Sequence, residues 1–193
     1  ALILFTHHHW DHTESLARIV KATGAPTRAI DPQYSTAAEP LADGELIEVD
    51  GLEIEVLAAP GHTKVSAAFL IGQDRALLSG DTVLGHGTTV VAHPDGTLGA
   101  YLDTVGHFRE LVTAGQVNTI LPGHGPVVTE PGAVLDYYLT HRQERLEQVR
   151  QAIANGATNA QEVVELVYAD VDPILWGAAE LSVRAQLDYL GHN

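Results

Sequence analysis

The sequence predicts a mixed α/β domain that continues into a small all-helical tail. Three observations lead there. Up to about residue 130, apolar runs of strand length alternate with stretches of helical periodicity. Two pairs of those runs flank turn sequences, Asp50-Gly51 and Gly72–Arg75, which marks hairpins. From Pro131 onward the strand signals stop and helical stretches take over.

The elements follow in order. Leu2-Ile3-Leu4-Phe5 is an apolar run that stops at Thr6 and predicts a buried strand. Thr13 is placed to cap a helix from about Glu14 to Lys21, ended by Gly24 and Pro26. Thr27–Ile30 predicts a second strand, and residues 31–44 a loop punctuated by Pro32, Pro40 and Asp43-Gly44. Leu46–Val49 and Leu52–Leu57 form the first hairpin; Ala67–Ile71 and Ala76–Ser79 form the second. Residues 85–97 read as loop. Leu98–Ala114 shows helical spacing through Leu102, Val105, Phe108, Leu111 and Val112, and Thr119–Leu121 is a short strand. Residues 131–154 predict one long helix. Thr158 is the expected cap of a helix over 160–168, and Asp172-Pro173 opens a last helix to about Leu190.

Composition narrows the function. With 193 residues and 45% hydrophobic content, the chain can bury a sizeable core. Its 25 acidic against 10 basic residues give a net charge of −15, which repels polyanions and argues against general duplex DNA binding. No cysteine is present, so disulfides and thiolate metal sites are excluded; a cytoplasmic location is the expectation. No apolar run is long enough to span a membrane.

The histidines carry the chemistry. Of 11, four fall within Thr6–Thr13. On an extended backbone His7 and His9 share one side while His8 faces away. Asp11 and His12 follow where the chain turns into a helix. Imidazole nitrogen and carboxylate oxygen suit Zn²⁺, which takes about four ligands, so this loop and a few distant residues could serve two ions. The distant candidates are His62, Asp81 and His124. Each directly follows a glycine, where a strand gives way to a turn. Taken singly each would be an ordinary turn residue; together they complete the coordination the loop leaves open. Asp81 could bridge ions ~3.5–4 Å apart, whose shared water becomes a hydroxide able to attack carbon or phosphorus. The candidate metal ligands are therefore His7, His9, Asp11, His12, His62, Asp81 and His124, with Asp11 and Asp81 as catalytic candidates. His86 and His93 lie in a loop that can approach this site.

Thr6-His7-His8-His9-Trp10-Asp11-His12 matches T-H-x-H-x-D-H, and Pro60-Gly61-His62-Thr63, Ser79-Gly80-Asp81-Thr82 and Pro122-Gly123-His124-Gly125 follow in order. This combination resembles the metallo-β-lactamase superfamily. The resemblance implies an αββα sandwich, with one zinc on His7, His9 and His62, a second on Asp11, His12 and His124, and Asp81 bridging. It looks more like hydrolase branches such as glyoxalase II than like the zinc-dependent lactamases. Tyr138-x-x-His141-Arg142-x-x-Arg145, Val163–Asp170 and the final helix resemble the β-lactamase-like protein 2 group. In that group a small winged-helix-like domain follows the hydrolase domain, and some members are similar to single-strand-specific endoribonucleases. The expected organisation is thus residues 1–130 as the metallo-β-lactamase-like domain, lacking the strands that usually precede the histidine motif. Residues 131–193 are expected as the winged-helix-like domain without its wing. Such a chain exposes apolar surface and unpaired edges, which is the mark of a fragment or of a chain needing a partner, for example a second copy in a homodimer.

The expected function is a dinuclear zinc hydrolase that uses a metal-bound hydroxide on an ester, thioester or phosphodiester, single-stranded RNA among them. The alternatives are an iron-dependent oxidoreductase similar to persulfide dioxygenases, and a non-catalytic interaction module. His141, Arg142, Arg145 and Arg150 could make a local anion contact. A solvated helix face paired with Glu144 and Glu147 is the favoured expectation. Lys64, next to Thr63, is likewise expected in solvent.

Overall fold

The computed structural model describes residues 1–91 and 93–192. Two sheets organise it. β1 (Ile3–Leu4) and β2 (Thr27–Arg28) pair in parallel as a small sheet. β3 (Leu46–Val49), β4 (Leu52–Ala58), β5 (Ala67–Ile71), β6 (Ala76–Gly80) and β7 (Thr119–Pro122) make a larger sheet in sequence order. The first four strands are antiparallel, joined by the two predicted hairpins. At the first turn Asp50 and Gly51 have φ of 50° and 82°, the pair of left-handed residues that matches strand twist. β7 lies parallel to β6, so the chain must cross over between them, and it does so through α3 (Leu98–Thr113).

β5 shows why the larger sheet is a middle layer. Its sequence, Ala-Ala-Phe-Leu-Ile, does not alternate with polar residues, so it suits burial on both faces. Ala68 and Leu70 enter one core with Leu57, Leu77, Tyr101, Phe108, Leu135 and Tyr138, beneath α3 and α4 (Pro131–Ala154). Ala67 and Phe69 enter another with Ile47 and Val56, against Leu2, Leu4 and Ile30 beside the small sheet. This part of the fold thus packs helices on one face of the larger sheet and the small sheet on the other.

The long helix α4 belongs to two cores. Its Leu135, Tyr138 and Leu146 pack against the larger sheet's core. Val149 and Ala152 pack with Val163 and Val164 of α5 (Ala160–Val167) and Val183 of α6 (Trp176–Tyr189).

Several boundaries differ from expectation. The first helical turn begins earlier, as α1 (Trp10–Thr13), and a second helix, α2 (Leu16–Thr23), follows. Thr13 does not cap a helix. Its hydroxyl donates back to the His9 carbonyl at 3.0 Å, the i−4 bond of a residue inside a turn. Gly24 ends α2 in the left-handed conformation as expected. In the tail Asn159 is the cap, accepting from the Glu162 amide at 3.0 Å, while the Glu162 carboxylate reaches back to the Thr158 amide at 2.7 Å. The last helix opens as a 3-10 turn, Pro173–Leu175, with the Asp172 carboxylate accepting from Ile174. β1 and β2 are two residues each; among the described strands each pairs with the other, and Thr27 also forms a single bridge with Thr36. Among the described residues no helix is long and apolar enough to cross a membrane.

Candidate metal centre

The site forms where β1, β4, β6 and β7 end. The Ala67 amide donates to the Thr6 carbonyl at 2.7 Å and ties the end of β1 to the start of β5. The chain then stays extended to His9 (φ −58°, ψ 149°) before α1 begins, which delivers His7 and His9 together and Asp11 and His12 one turn later. His62 sits in the turn between β4 and β5, Asp81 just beyond β6 and His124 just beyond β7.

The glycines beside these residues permit close approach. Gly61 has φ 139°, and a Cβ there would overlap the Tyr101 backbone. Gly80 has φ 51°, and its Cβ would lie 2.8 Å from Thr6 Cβ. At Gly123 a Cβ would collide with Asp81 Oδ1 and lie 3.0 Å from His12 Cε1. A side chain at Gly80 or Gly123 would push ligand-bearing segments apart, and one at Gly61 would push the His62 turn off α3.

The seven side chains form two groups, His7, His9 and His62 in one and Asp11, His12, Asp81 and His124 in the other. Within each group the potential ligand atoms all lie within 4.8 Å of one another. In the first, His9 Nδ1 stands 3.1 Å from His7 Nε2 and 3.0 Å from His62 Nε2. In the second, His124 Nε2 stands 2.9 Å from Asp11 Oδ2 and 3.3 Å from His12 Nε2, which is 3.3 Å from Asp81 Oδ1. Asp81 Oδ2 lies 3.5 Å from His124 Nε2 and 3.9 Å from His62 Nε2, so one carboxylate faces both groups. Donors held at ~2.0–2.1 Å around a tetrahedral ion are themselves ~3.3 Å apart. The observed spacings match that figure. Asp81 Oδ1 is also buried without an aligned hydrogen-bond partner, an expensive state that a cation would relieve.

Backbone groups orient the rings. His62 Nδ1 lies 2.6 Å from the Val90 carbonyl, which fixes the proton on Nδ1 and leaves Nε2 free to ligate. Thr89 Oγ1 approaches the same nitrogen at 3.2 Å, and Thr6 Oγ1 approaches His7 Nδ1 at 3.1 Å.

The electrostatics keep donors available. Burial, and then the nearby His12 and His62, lower the His7 pKa from 6.5 to about 2. Burial likewise lowers His9 and His62. These rings stay neutral at neutral pH, as metal ligation requires. His12 shifts upward, chiefly through its contact with the Asp81 carboxylate. Burial works to raise Asp81, but its hydrogen-bonding contact with His12 and the charge of that ring outweigh it and hold the carboxyl low.

Exposure gives the site a direction. His7 and His62 are buried, whereas the side chains of Asp11 and His124 are 55% and 49% exposed. Small molecules reach the second group first.

The remaining predicted residues go elsewhere. His8 turns away, 3.7 Å from Asp95 and stacked on Tyr34. His86 is exposed but its ring lies against Gly125, next to His124, so its loop does approach the site; Lys64 is exposed in solvent as expected. The four basic residues of α4 do not form one patch. His141 stacks on Tyr137, Arg145 donates to Gln148 and the Val167 carbonyl, and Arg150 lies 3.5 Å from Glu147. For Arg142 the solvated-face expectation is wrong. It is 4% exposed, its guanidinium lies over the Tyr101 ring, and it donates to the Thr89 carbonyl. Tyr138 and Arg142, four apart on a helix, carried a signal for one shared face; Thr89 and Val90, which act through backbone carbonyls, carried none.

The donor set and its spacing form two groups that could hold metal ions, within a layered α/β fold. The metallo-beta-lactamase superfamily profile matches residues 2–124, and the beta-lactamase associated winged helix domain profile matches residues 160–191. The chain belongs to the metallo-beta-lactamase superfamily. It is 30% identical to the Beta-lactamase-like protein 2 homolog of Drosophila melanogaster, over 97% of this chain and 67% of that protein. It is 32% identical to the Atrochrysone carboxyl ACP thioesterase of Aspergillus chevalieri, over 87% of this chain and only 55% of that protein. A Beta-lactamase domain protein from Burkholderia ambifaria shares the fold with a TM-score of 0.83 at 20% identity, covering 98% of this chain and 68% of that one. A further solved neighbour, 24% identical with a TM-score of 0.54, is in a di-iron-bound form; the match covers 68% of this chain and 73% of that one.

Proposed function

We propose that the chain carries a dinuclear zinc site that hydrolyses thioesters or related esters. The observation that carries this is Asp81, whose carboxylate stands between the two donor groups, one oxygen beside His12 and the other beside both His124 and His62. His7, His9 and His62 would hold one ion, Asp11, His12 and His124 the other, and Asp81 would bridge. Bound zinc supplies Lewis acidity and lowers the pKa of water towards neutrality. The chain's own part is to keep three imidazoles neutral, to fix their tautomers and to leave the Asp11–His124 side open to substrate. Asp11, more than half exposed beside His124, would orient the attacking water and take up its proton.

The substrate class is weighed on charge. A net charge of −15 opposes an RNA backbone, and the basic residues of α4 that could have offset it are buried or already engaged. A neutral acyl thioester meets no such barrier, and the relative named a carboxyl ACP thioesterase supports that class. A phosphodiester, single-stranded RNA included, is the less favoured substrate. Iron with oxygen chemistry is the second reading, since an all-nitrogen-and-oxygen donor set also suits iron.

Elemental analysis of purified protein, followed by turnover of an acyl thioester, a small phosphodiester and single-stranded RNA, tests this. Two zinc ions per chain with thioester hydrolysis is the expected result. Iron with oxygen uptake and no hydrolysis would overturn it.

A further inference from the structure

Three of the seven candidate ligands lie outside the histidine loop, and one short segment touches all three. It begins at Asp81 itself. Its Gly85 amide donates to the His124 carbonyl at 2.9 Å. Its far end supplies Thr89 Oγ1 and the Val90 carbonyl to His62 Nδ1. This segment has no strand or helix of its own between Thr82 and Val90, so something else must fix its path.

The two helices beneath it do so at three points. Tyr101 of α3 donates its hydroxyl to the Thr82 carbonyl at 2.9 Å. The Leu84 amide donates to the Tyr138 hydroxyl of α4 at 3.0 Å. Arg142, one helical turn further along α4, donates to the Thr89 carbonyl and packs its guanidinium 5.0 Å from the centre of the Tyr101 ring. All three side chains are at most 4% exposed. Among the described residues Arg142 has no carboxylate partner within ion-pair distance, and its Nε is buried without a hydrogen-bond partner. Burying a guanidinium this way is costly, and an apolar side chain would fill the space more cheaply. A carbonyl turned towards the protein interior needs a donor, however, and Arg142 supplies one to Thr89.

We propose that Tyr101, Tyr138 and Arg142 form a clamp that holds residues 82–90 and thereby positions His62, Asp81 and His124 for metal binding. Arg142 is the positioning residue at the His62 end. It presents Thr89 and Val90 so that His62 keeps its proton on Nδ1 and offers Nε2 to the ion. The inference rests on the metal reading above, but the tautomer of His62 is a property of the protein alone.

The test uses Arg142→Met, with Tyr138→Phe as a milder variant should the first not fold, and Arg109→Met as control. Arg109 also joins α3 to α4, through Asp136 at 2.7 Å, without touching the segment. Two readouts are taken on folded protein: zinc affinity by chelator competition, and the His62 ring tautomer in metal-free protein by ¹⁵N NMR. Loss of an orienting partner typically weakens metal binding ~10–100-fold. That loss is expected for Arg142→Met, more weakly for Tyr138→Phe, together with mixed tautomers at His62, while Arg109→Met keeps the parent affinity. Unchanged affinity and an unchanged tautomer in folded Arg142→Met would overturn the clamp. Equal losses in Arg142→Met and Arg109→Met would also overturn it, assigning the effect to helix packing in general. Failure of the metal reading shows separately, as parent protein that takes up no ion while its His62 tautomer still depends on Arg142.

Discussion

Asp81→Ala gives the sharpest separation of outcomes. Its carboxylate stands 3.3 Å from His12 Nε2 through one oxygen, and 3.5 Å from His124 Nε2 and 3.9 Å from His62 Nε2 through the other. It is the fourth donor of the second group and, among the described residues, the one carboxylate within ion-pair distance of the first. Each four-coordinate ion would therefore lose about a quarter of its donors, and one compensating negative charge is lost between them. Removing even an indirect support of a ligand costs ~10–100-fold in metal affinity, so ~100-fold is a floor for each ion here, or about 2.7 kcal/mol apiece. His7→Ala, by contrast, removes a donor from the first group alone. The assay is zinc stoichiometry after dialysis against a weak chelator, paired with thioester turnover. Asp81→Ala is expected to lose both ions and all turnover, and His7→Ala to retain one ion. Two tightly held zinc ions in Asp81→Ala would refute the bridging assignment.

Three further outcomes are expected. Gly123→Ala places a methyl group against Asp81 Oδ1 and His12, so zinc affinity should fall at least ~10-fold with an unchanged circular dichroism spectrum; parent-like affinity would contradict the close approach. Metal-free protein should lose stability on acidification. His7, His9 and His62 have folded pKa values below the unfolded 6.5, so the unfolded chain binds more protons as the pH falls from 6.5 towards about 2, the His7 value. His12, shifted upward, works the other way and loses its contribution as the pH rises through its folded value, but it is one ring against three. Melting temperatures at pH 7.5 and pH 5 check the sign, and a higher value at pH 5 would reverse the argument. Finally, Arg28 joins Glu45 at 2.6 and 2.8 Å and donates to the Glu39 and Pro40 carbonyls, which pulls the Glu45 carboxyl below its ordinary range. Arg28→Met should cost about 1–3 kcal/mol, seen as a melting shift of ~2–10 °C, with zinc content unchanged.

The seven candidate ligands, which the structure gathers into two groups, were legible because their chemistry is local. Four of them lie within six consecutive residues, and the other three sit beside glycines that end strands. The hairpins were legible for the same reason, since Asp50-Gly51 dictates its own turn. Helix starts were less so. Thr13 and Thr158 are acceptable caps by type, yet His9 and Asn159 precede the observed helices, because the geometry of the metal loop and the Glu162 back-bond decided the first turn.

Arg142 marks the boundary. Amino-acid order alone establishes which residues can ligate, that Asp81 can bridge, and that helices follow the sheets, since these depend on donor type and short-range periodicity. Whether an arginine on α4 meets water or a carbonyl 53 residues away depends on which face of the helix the sheet covers. That choice is made by packing between Tyr101, Tyr138 and the 82–90 segment, contacts that span tens of residues and leave no periodic trace in the chain. The tertiary structure alone decides it, and with it the orientation of His62.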